Sequence, residues 1–350
     1  MKIALLLSKS DPSMSKAEAI ESCKIYFKIA SLKEIDNLLI LEINLKKKDS
    51  KKTSETILLA KTWLNRLALT KDAYLLLEQN KTEENKPENV IVDFEAISAL
   101  TNNIQNPTFK ISIRNTGISE GNEKILEKTL ISDFAKMLAK NEFYKTNMQN
   151  PDLEFTIINT SSTKETIKGI RIWTNTEPFE ERKAHLRPIL HPTAINPRLA
   201  RAMINLAGAE REILDPFCGV GGILLEASTI GLNAKGIDIS SAMIARAKLN
   251  LKNENDIDLH EMDSLKWTKP AECVVTDLPY GKSSKLASSI SLLTNDFLKH
   301  YANLTTKIVL CIPHGSVEDI PAPWIKLYEF KIYIHKSLTR NIMVLENRNL

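Results

Sequence analysis

The chain of 350 residues has only four cysteines, Cys23, Cys218, Cys273 and Cys311, and none forms a C-x-x-C pair. That spacing argues against a structural zinc motif and a disulfide framework, and it makes a reducing cytoplasm the expected compartment. The six histidines lack metal-ligand spacing, so no metal site is expected. No run of about 18 apolar residues occurs, which excludes a membrane-spanning helix. Lys9 and Asp11 interrupt the apolar start before any cleavage site, so it reads as a first strand and not as a signal peptide. Neither sign of charge dominates: 47 Lys and Arg stand against 43 Asp and Glu, and this balance permits a nucleic-acid partner without requiring one. There is no repeat of solenoid period and no G-x-G-x-x-G nucleotide turn. What remains is a globular composition, 43% hydrophobic and 26% charged, in a chain long enough for two to three domains of ~100 to 200 residues.

In the N-terminal half, lysine runs and polar clusters separate short strand patterns at Leu38–Leu45, Ala73–Leu77 and Phe109–Ile113 from helical patterns at Thr56–Leu69 and Lys124–Lys140. The mixture predicts α+β layers. A stretch with Pro178, Pro188 and mixed charges predicts a solvated linker over 171–192. Beyond it, Asn196-Pro197 predicts a capped helix start, and strands then alternate with helices as in a parallel, doubly wound sheet.

Three segments of that second half carry chemistry. Glu212 to Ala227 reads as a buried strand, a turn with Gly219, Gly221 and Gly222, and a helix. Glycines let backbone approach a ligand, though a tight turn alone would also use them. Asp215 precedes the glycines, where a carboxylate would repel a phosphate but could hold the ammonium of an amino-acid tail. Asp238 ends the next strand and suits ribose hydroxyls. S-adenosylmethionine therefore fits better than a dinucleotide. Asp263 follows a third strand, placed either to accept from an adenine amine or to sit solvated in a loop.

A fourth strand ends in Asp277-Leu278-Pro279-Tyr280-Gly281. An exocyclic amine on a base is a poor nucleophile because its lone pair is delocalised into the ring. Two acceptors on its N–H groups favour a tetrahedral nitrogen, and the Asp277 carboxylate and Leu278 carbonyl could be those acceptors. Pro279 would stiffen the turn, and Tyr280 would stack on a base extruded from its helix. The alternative is an ordinary strand-end turn. Cys218 as a covalent nucleophile is a weaker reading, since that chemistry attacks ring carbons.

The stretch Phe179–Leu206, the segments DPFCGVGGILLEA, GIDIS and DLPYG, and the closing His335 to Arg340 resemble the archaeal tRNA (guanine(10)-N(2))-dimethyltransferase family of THUMP-domain methyltransferases. The resemblance implies an α/β fold: a Rossmann-like class I methyltransferase domain over 193–350, preceded by α+β ferredoxin-like (1–75) and THUMP RNA-binding (76–170) domains and the linker. It implies S-adenosyl-L-methionine as cofactor and methylation, once or twice, of the 2-amino group of guanosine 10 in tRNA. Asp215, Gly219, Gly221 and Gly222 would line the methionine part, Asp238 the ribose and Asp263 the adenine. Asp277, Leu278, Pro279 and Tyr280 would face the guanine amine. Val220 stands where the family usually has Thr, and Leu278 where it usually has Pro. A small zinc-binding activator subunit, as used by eukaryotic relatives, stays open.

Lys164, Lys168, Arg171, Arg182, Lys183 and Arg187 cluster in sequence around the expected junction and could contact RNA phosphates, or form a solvated charged face. Three competing readings remain: a methyltransferase for another tRNA or rRNA guanosine, a non-catalytic RNA-binding protein, and a protein glutamine methyltransferase. The last usually carries Asn at the place of Asp277.

Overall fold

A computed structural model describes residues 1–46, 53–81, 87–91, 94–101, 104–116, 128, 131–136, 138, 145–191, 194–279, 284–317, 319–335 and 338–350. The chain divides into two compact units. One holds Met1–Pro12, Tyr26–Asn65 and Thr70–Thr176; the other holds Ser13–Ile25, Arg66–Leu69 and Glu177–Leu350.

In chain order the first elements are β1 (Lys2–Leu7), α1 (Pro12–Tyr26), β2 (Phe27–Ile35), β3 (Leu38–Leu45), α2 (Thr53–Leu64) and β4 (Thr70–Leu76). There follow β5 (Glu78–Lys81), β6 (Pro87–Ile91), α3 (Phe94–Leu100), β7 (Phe109–Asn115), β8 (Leu153–Asn159) and β9 (Thr166–Thr174). One sheet runs β2-β3-β1-β4-β9-β8-β7, and β5 pairs with β6 alone. Strand β1 lies antiparallel between β3 and β4. Phe155 of β8 anchors this unit's core, meeting Phe109 and Phe134 edge-on at ring separations of 5.8 and 5.9 Å.

This sheet differs from the sequence expectation. The boundary expected at residue 75 falls inside it, because β4 pairs with both β1 and β9. The helix expected to reach Leu69 stops at Leu64, and the N–H groups of Ala68 and Leu69 donate instead to the buried Glu18 carboxylate at 2.7 and 2.8 Å. Of the helix expected over 124–140, residues 128, 131–136 and 138 are helical and the others lie outside the described residues.

The second unit contains α4 (Pro197–Ala207), β10 (Glu212–Asp215), α5 (Gly222–Ser228), β11 (Asn233–Asp238), α6 (Ser241–Asn250) and β12 (Ile257–Glu261). Then come β13 (Val274–Asp277), α7 (Ser284–Tyr301), β14 (Lys307–Pro313), β15 (Trp324–His335) and β16 (Leu338–Asn347). Their sheet runs β12-β11-β10-β13-β14-β16-β15. The first five strands are parallel, as expected, while β16 enters antiparallel between β14 and β15. Neighbouring residues divide between two cores, one on each face: Ile213, Val275, Val309 and Ile342 join one, and Leu214, Val274, Leu310 and Met343 the other. Burial on both faces is why these strands read as continuous apolar runs without alternation. Each such side chain contributes roughly 1.5–3 kcal/mol by leaving water.

Helix α4 starts as its sequence predicts. The Asn196 side chain accepts from Arg198 N at 2.9 Å, Pro197 follows, and Gly208 ends the helix at φ +70°. The stretch before it, expected as a linker, contains the division between the two units after Thr176, and parts of it are ordered against their own unit. Residues 171–174 complete β9, and Phe179 is buried with the guanidinium groups of Arg182, Arg198 and Arg201 at 5.2, 4.5 and 5.4 Å from its ring. Among the described residues no helix is long and apolar enough to cross a membrane.

Candidate active site

The chain leaves β10 for β11 and β12 on one side of it and returns to β13 on the other. Loops diverge at such a reversal and open a crevice at the carboxyl ends of the strands. Here Asp215, Asp238 and Asp277 are the last residues of β10, β11 and β13, and Asp263 lies two residues past β12. All four acids line one cavity of about 510 Å³, with Gly219, Gly222 and Pro279. Among the described residues, no Lys or Arg lines it.

The glycine turn is tied to the second acid. Gly219 N and Ser240 N donate to the two oxygens of Asp238 at 3.0 and 2.9 Å, which holds the carboxylate at the cavity wall. Gly219 and Gly221 both have left-handed backbone, at φ +51° and +84°. Gly221 does not line the cavity; a Cβ there would stand 2.6 Å from Leu251 Cδ1. Its requirement for glycine comes from the left-handed backbone and from packing, not from the cavity wall.

Asp215 is 1% exposed. Its Oδ1 accepts from the Thr276 hydroxyl at 2.7 Å and from Phe217 N at 3.2 Å. Burial nevertheless pushes its carboxyl up to about 7, with Asp277 and Asp238 adding repulsion. Asp263 accepts from Leu265 N at 3.0 Å and so caps the turn after β12. The Cys218 thiol is pushed well up by burial and by Asp215 and Asp238, which leaves it protonated and a poor nucleophile.

Asp277 is pushed up to about 6 by burial, opposed by the Arg340 guanidinium and the Cys311 thiol. Leu278 turns its side chain into the core, fully buried, while its N–H donates to Cys311 O at 3.0 Å. Pro279 is exposed at the rim. Tyr280 lies outside the described residues.

The basic residues expected to cluster are divided between the two units. Lys164, Lys168 and Arg171 belong to the first unit, and Arg182, Lys183 and Arg187 to the second. Lys164 is exposed, but Lys168 is 9% exposed with Nζ 5.5 Å from the Phe134 ring centre. Arg171 pairs with Glu154 and Asp72. Arg182 pairs with Glu226 and Glu177, both at 2.7 Å, and Lys183 pairs with Glu180. Arg187 is buried, its Nε donating to Arg182 O at 2.8 Å. Sequence proximity suggested a phosphate-facing patch; carboxylate partners and burial draw most of these cations inward.

Two family models match: one described as RMKL-like, methyltransferase domain, over residues 184–317, and one described as DNA methylase, over residues 20–249. The probable tRNA (guanine(10)-N2)-dimethyltransferase of Methanothermococcus thermolithotrophicus is 33% identical over 165 residues, covering 42% of this chain and 96% of that relative. The chain belongs to the tRNA (guanine(10)-N2)-dimethyltransferase family. The family's proteins from Pyrococcus abyssi and Methanothermobacter thermautotrophicus are each 35% identical, over 58% and 49% of this chain. These two alignments span 65% and 54% of the relatives' own lengths. Among solved structures, TrmN from Thermus thermophilus matches with a TM-score of 0.47 and 15% identity, covering 99% of this chain and 100% of that one.

For a member of this dimethyltransferase family, sequence reasoning left two residues without a role. Thr276 sits inside a strand pattern and reads as β filler, with nothing to mark it as the donor to Asp215. Arg340 stands in the closing segment quoted for the resemblance, yet only the sheet brings it to Asp277, its Nη1 3.3 Å from Oδ2.

Proposed function

We propose that the chain transfers a methyl group from S-adenosylmethionine to the exocyclic 2-amino group of guanosine 10 in tRNA. The observation that carries this reading is the convergence of four carboxylates from the ends of four neighbouring strands on one cavity that, among the described residues, has no lining Lys or Arg. Such a wall repels phosphates and suits a ligand that carries an ammonium and a sulfonium, so the residues fit this cofactor and not a dinucleotide. The names of the curated relatives support the substrate.

When bound, S-adenosylmethionine supplies an electrophilic methyl carbon on a good leaving group. The chain's own part is alignment. Asp238, fixed by two backbone N–H groups, keeps lone pairs for ribose hydroxyls. Asp215 faces the ammonium group, and Asp263 the adenine amine. Ile239, 74% exposed and lining the cavity, offers an apolar surface for the adenine ring. Asp277 accepts one N–H of the guanine amine and the Leu278 carbonyl the other, which frees the nitrogen lone pair for attack. Tyr280 stacks on the flipped base in this reading.

The first unit is proposed as the RNA-gripping half, ferredoxin-like and then THUMP-like. The β2-β3-β1-β4 order within the first unit's sheet supports the ferredoxin-like part, while the THUMP part rests on chain position. Exposed Lys164 is proposed as a phosphate contact. Four buried free cysteines support a reducing compartment.

The test is methylation of a tRNA transcript by the purified chain alone, followed by nucleoside mass spectrometry and position mapping. N2-methylguanosine at position 10 is expected. Modification of a different guanosine would reject the position, and binding of tRNA without any methyl incorporation would favour the non-catalytic reading.

A further inference from the structure

Strand β14 separates β13, which ends in Asp277, from β16, which carries Arg340. Arg340 stands opposite Pro313 in the β14–β16 ladder, and Asp277 opposite Cys311 in the β13–β14 ladder. The guanidinium therefore reaches across an intervening strand to place Nη1 3.3 Å from Oδ2 of Asp277. Both side chains are largely withdrawn from water, at 7% and 15% exposure. The other carboxylate oxygen, Oδ1, is buried and meets no hydrogen-bond partner among the described residues. Native proteins rarely leave a buried carboxylate oxygen without a donor, so its place in a cavity wall is informative.

A carboxylate has two equivalent oxygens and rotates between them. An acceptor that must hold one amine N–H in a fixed direction needs that equivalence removed. We propose that Arg340 is a positioning residue for methyl transfer: by gripping Oδ2 it presents Oδ1 to the exocyclic amine and holds the acid ionised inside an apolar sheet. The inference rests on Asp277 as the amine acceptor, as set out under Proposed function.

The charged and titratable groups facing Asp277 are Arg340 from β16, the Cys311 thiol from β14 and the Asp215 carboxyl from β10. Burial keeps Cys311 protonated, and Asp215 is an acid, so among the described residues Arg340 is the one cation in this set. An opposite charge at this range stabilises the ionised carboxyl by about one pH unit or more. Loss of Arg340 therefore moves the acid limb of the rate profile to higher pH.

The experiment compares wild type, Arg340→Gln, Arg340→Met and Arg340→Lys in single-turnover methyl transfer to tRNA from pH 5 to 9. Alongside it, the Asp277 carboxyl is titrated by carbon-13 NMR, with its signal assigned by Asp277→Asn. Both uncharged variants should raise the midpoint by about one unit or more, so that their deficit against wild type is about tenfold larger at pH 5 than at pH 8.5, on top of a loss at every pH at least as large as that of Arg340→Lys. Arg340→Lys should restore the midpoint to within about half a unit, while losing rate at every pH because a point charge orients less well than a planar fork. If one uncharged variant fails to fold, the other decides. A rate reduced by the same factor at all pH values in the uncharged variants, or an NMR midpoint equal to wild type, overturns the inference. The NMR titration needs no turnover, so it judges Arg340 even if the wild-type chain leaves the guanine amine unmodified, a result that would reject the functional reading instead.

Discussion

Thr276 donates its hydroxyl to Oδ1 of Asp215 at 2.7 Å and thereby ties the end of β13 to the end of β10, with both side chains buried. The donor strengthens the ionised form of an acid that burial opposes. Replacing Thr276 with Val keeps the shape and deletes the bond. A hydrogen bond to a charged group is worth about 1.5–3 kcal/mol, so Thr276→Val should lose about 2 kcal/mol of stability in urea denaturation at pH 8.

Asp215 also sets a pH dependence. Its folded carboxyl lies near 7, above the ordinary value of 3.8, so the protonated form is favoured by folding. The stability it contributes is fully present below about 4 and is lost as pH rises through about 7. Asp215→Asn should therefore flatten the decline in stability between pH 5 and pH 8, read from urea midpoints. Affinity for S-adenosylmethionine, measured by calorimetry, should rise through pH 7 in wild type and lose that rise in the variant.

Asp277 should govern the rate. A carboxyl with a midpoint near 6 must be ionised to accept from the amine, so methyl transfer should fall as pH drops through 6. Asp277→Asn should cost about a hundredfold or more in rate while leaving S-adenosylmethionine affinity nearly unchanged. Undiminished transfer by Asp277→Ala would falsify the proposed amine site.

Gly221 should behave as a packing residue. Its φ of +84° and the 2.6 Å approach to Leu251 predict that Gly221→Ala destabilises by about 1–3 kcal/mol, measured by thermal and urea unfolding. Because Gly221 is not in the cavity wall, cofactor affinity of the folded fraction should change far less than in Asp238→Ala, which removes a carboxylate from that wall.

Arg182 and Lys164 should separate fold from RNA contact. Arg182 meets the fully buried Glu226, which Arg201 also pairs at 3.0 Å, so Arg182→Ala leaves that acid one cation and should cost about 1.5–3 kcal/mol of stability without altering the salt slope of tRNA binding. Lys164→Glu should leave stability within about 0.5 kcal/mol and reduce the salt slope by about one. An unchanged slope for Lys164→Glu removes it from the RNA surface.

Much of the second unit was legible because its signals are local. The Asn196 cap, Pro197 and Gly208 bracket α4 through bonds spanning a few residues, and strand-ending acids follow apolar runs that only a doubly covered parallel sheet would need. Less of the first unit was legible. Its strands were found one by one, but a single sheet across the expected boundary at residue 75 depends on β4 pairing with β9, a choice no local pattern encodes. The basic residues misled for a related reason: whether Arg182 faces RNA or Glu226 is decided 44 residues away.

The order of residues alone determined which chemical groups end which strands: the acids at 215, 238, 263 and 277 and the glycines between the first two. Their types follow from short-range pattern, since apolar runs, turn glycines and caps act within a few residues. Tertiary structure decided which groups share a wall, which glycines line the cavity and which faces Leu251, and that Arg340 arrives at Asp277 from 63 positions downstream. Sheet order and strand direction make those pairings, and they are set by burial of both faces at once, a property of the whole fold and of no single segment.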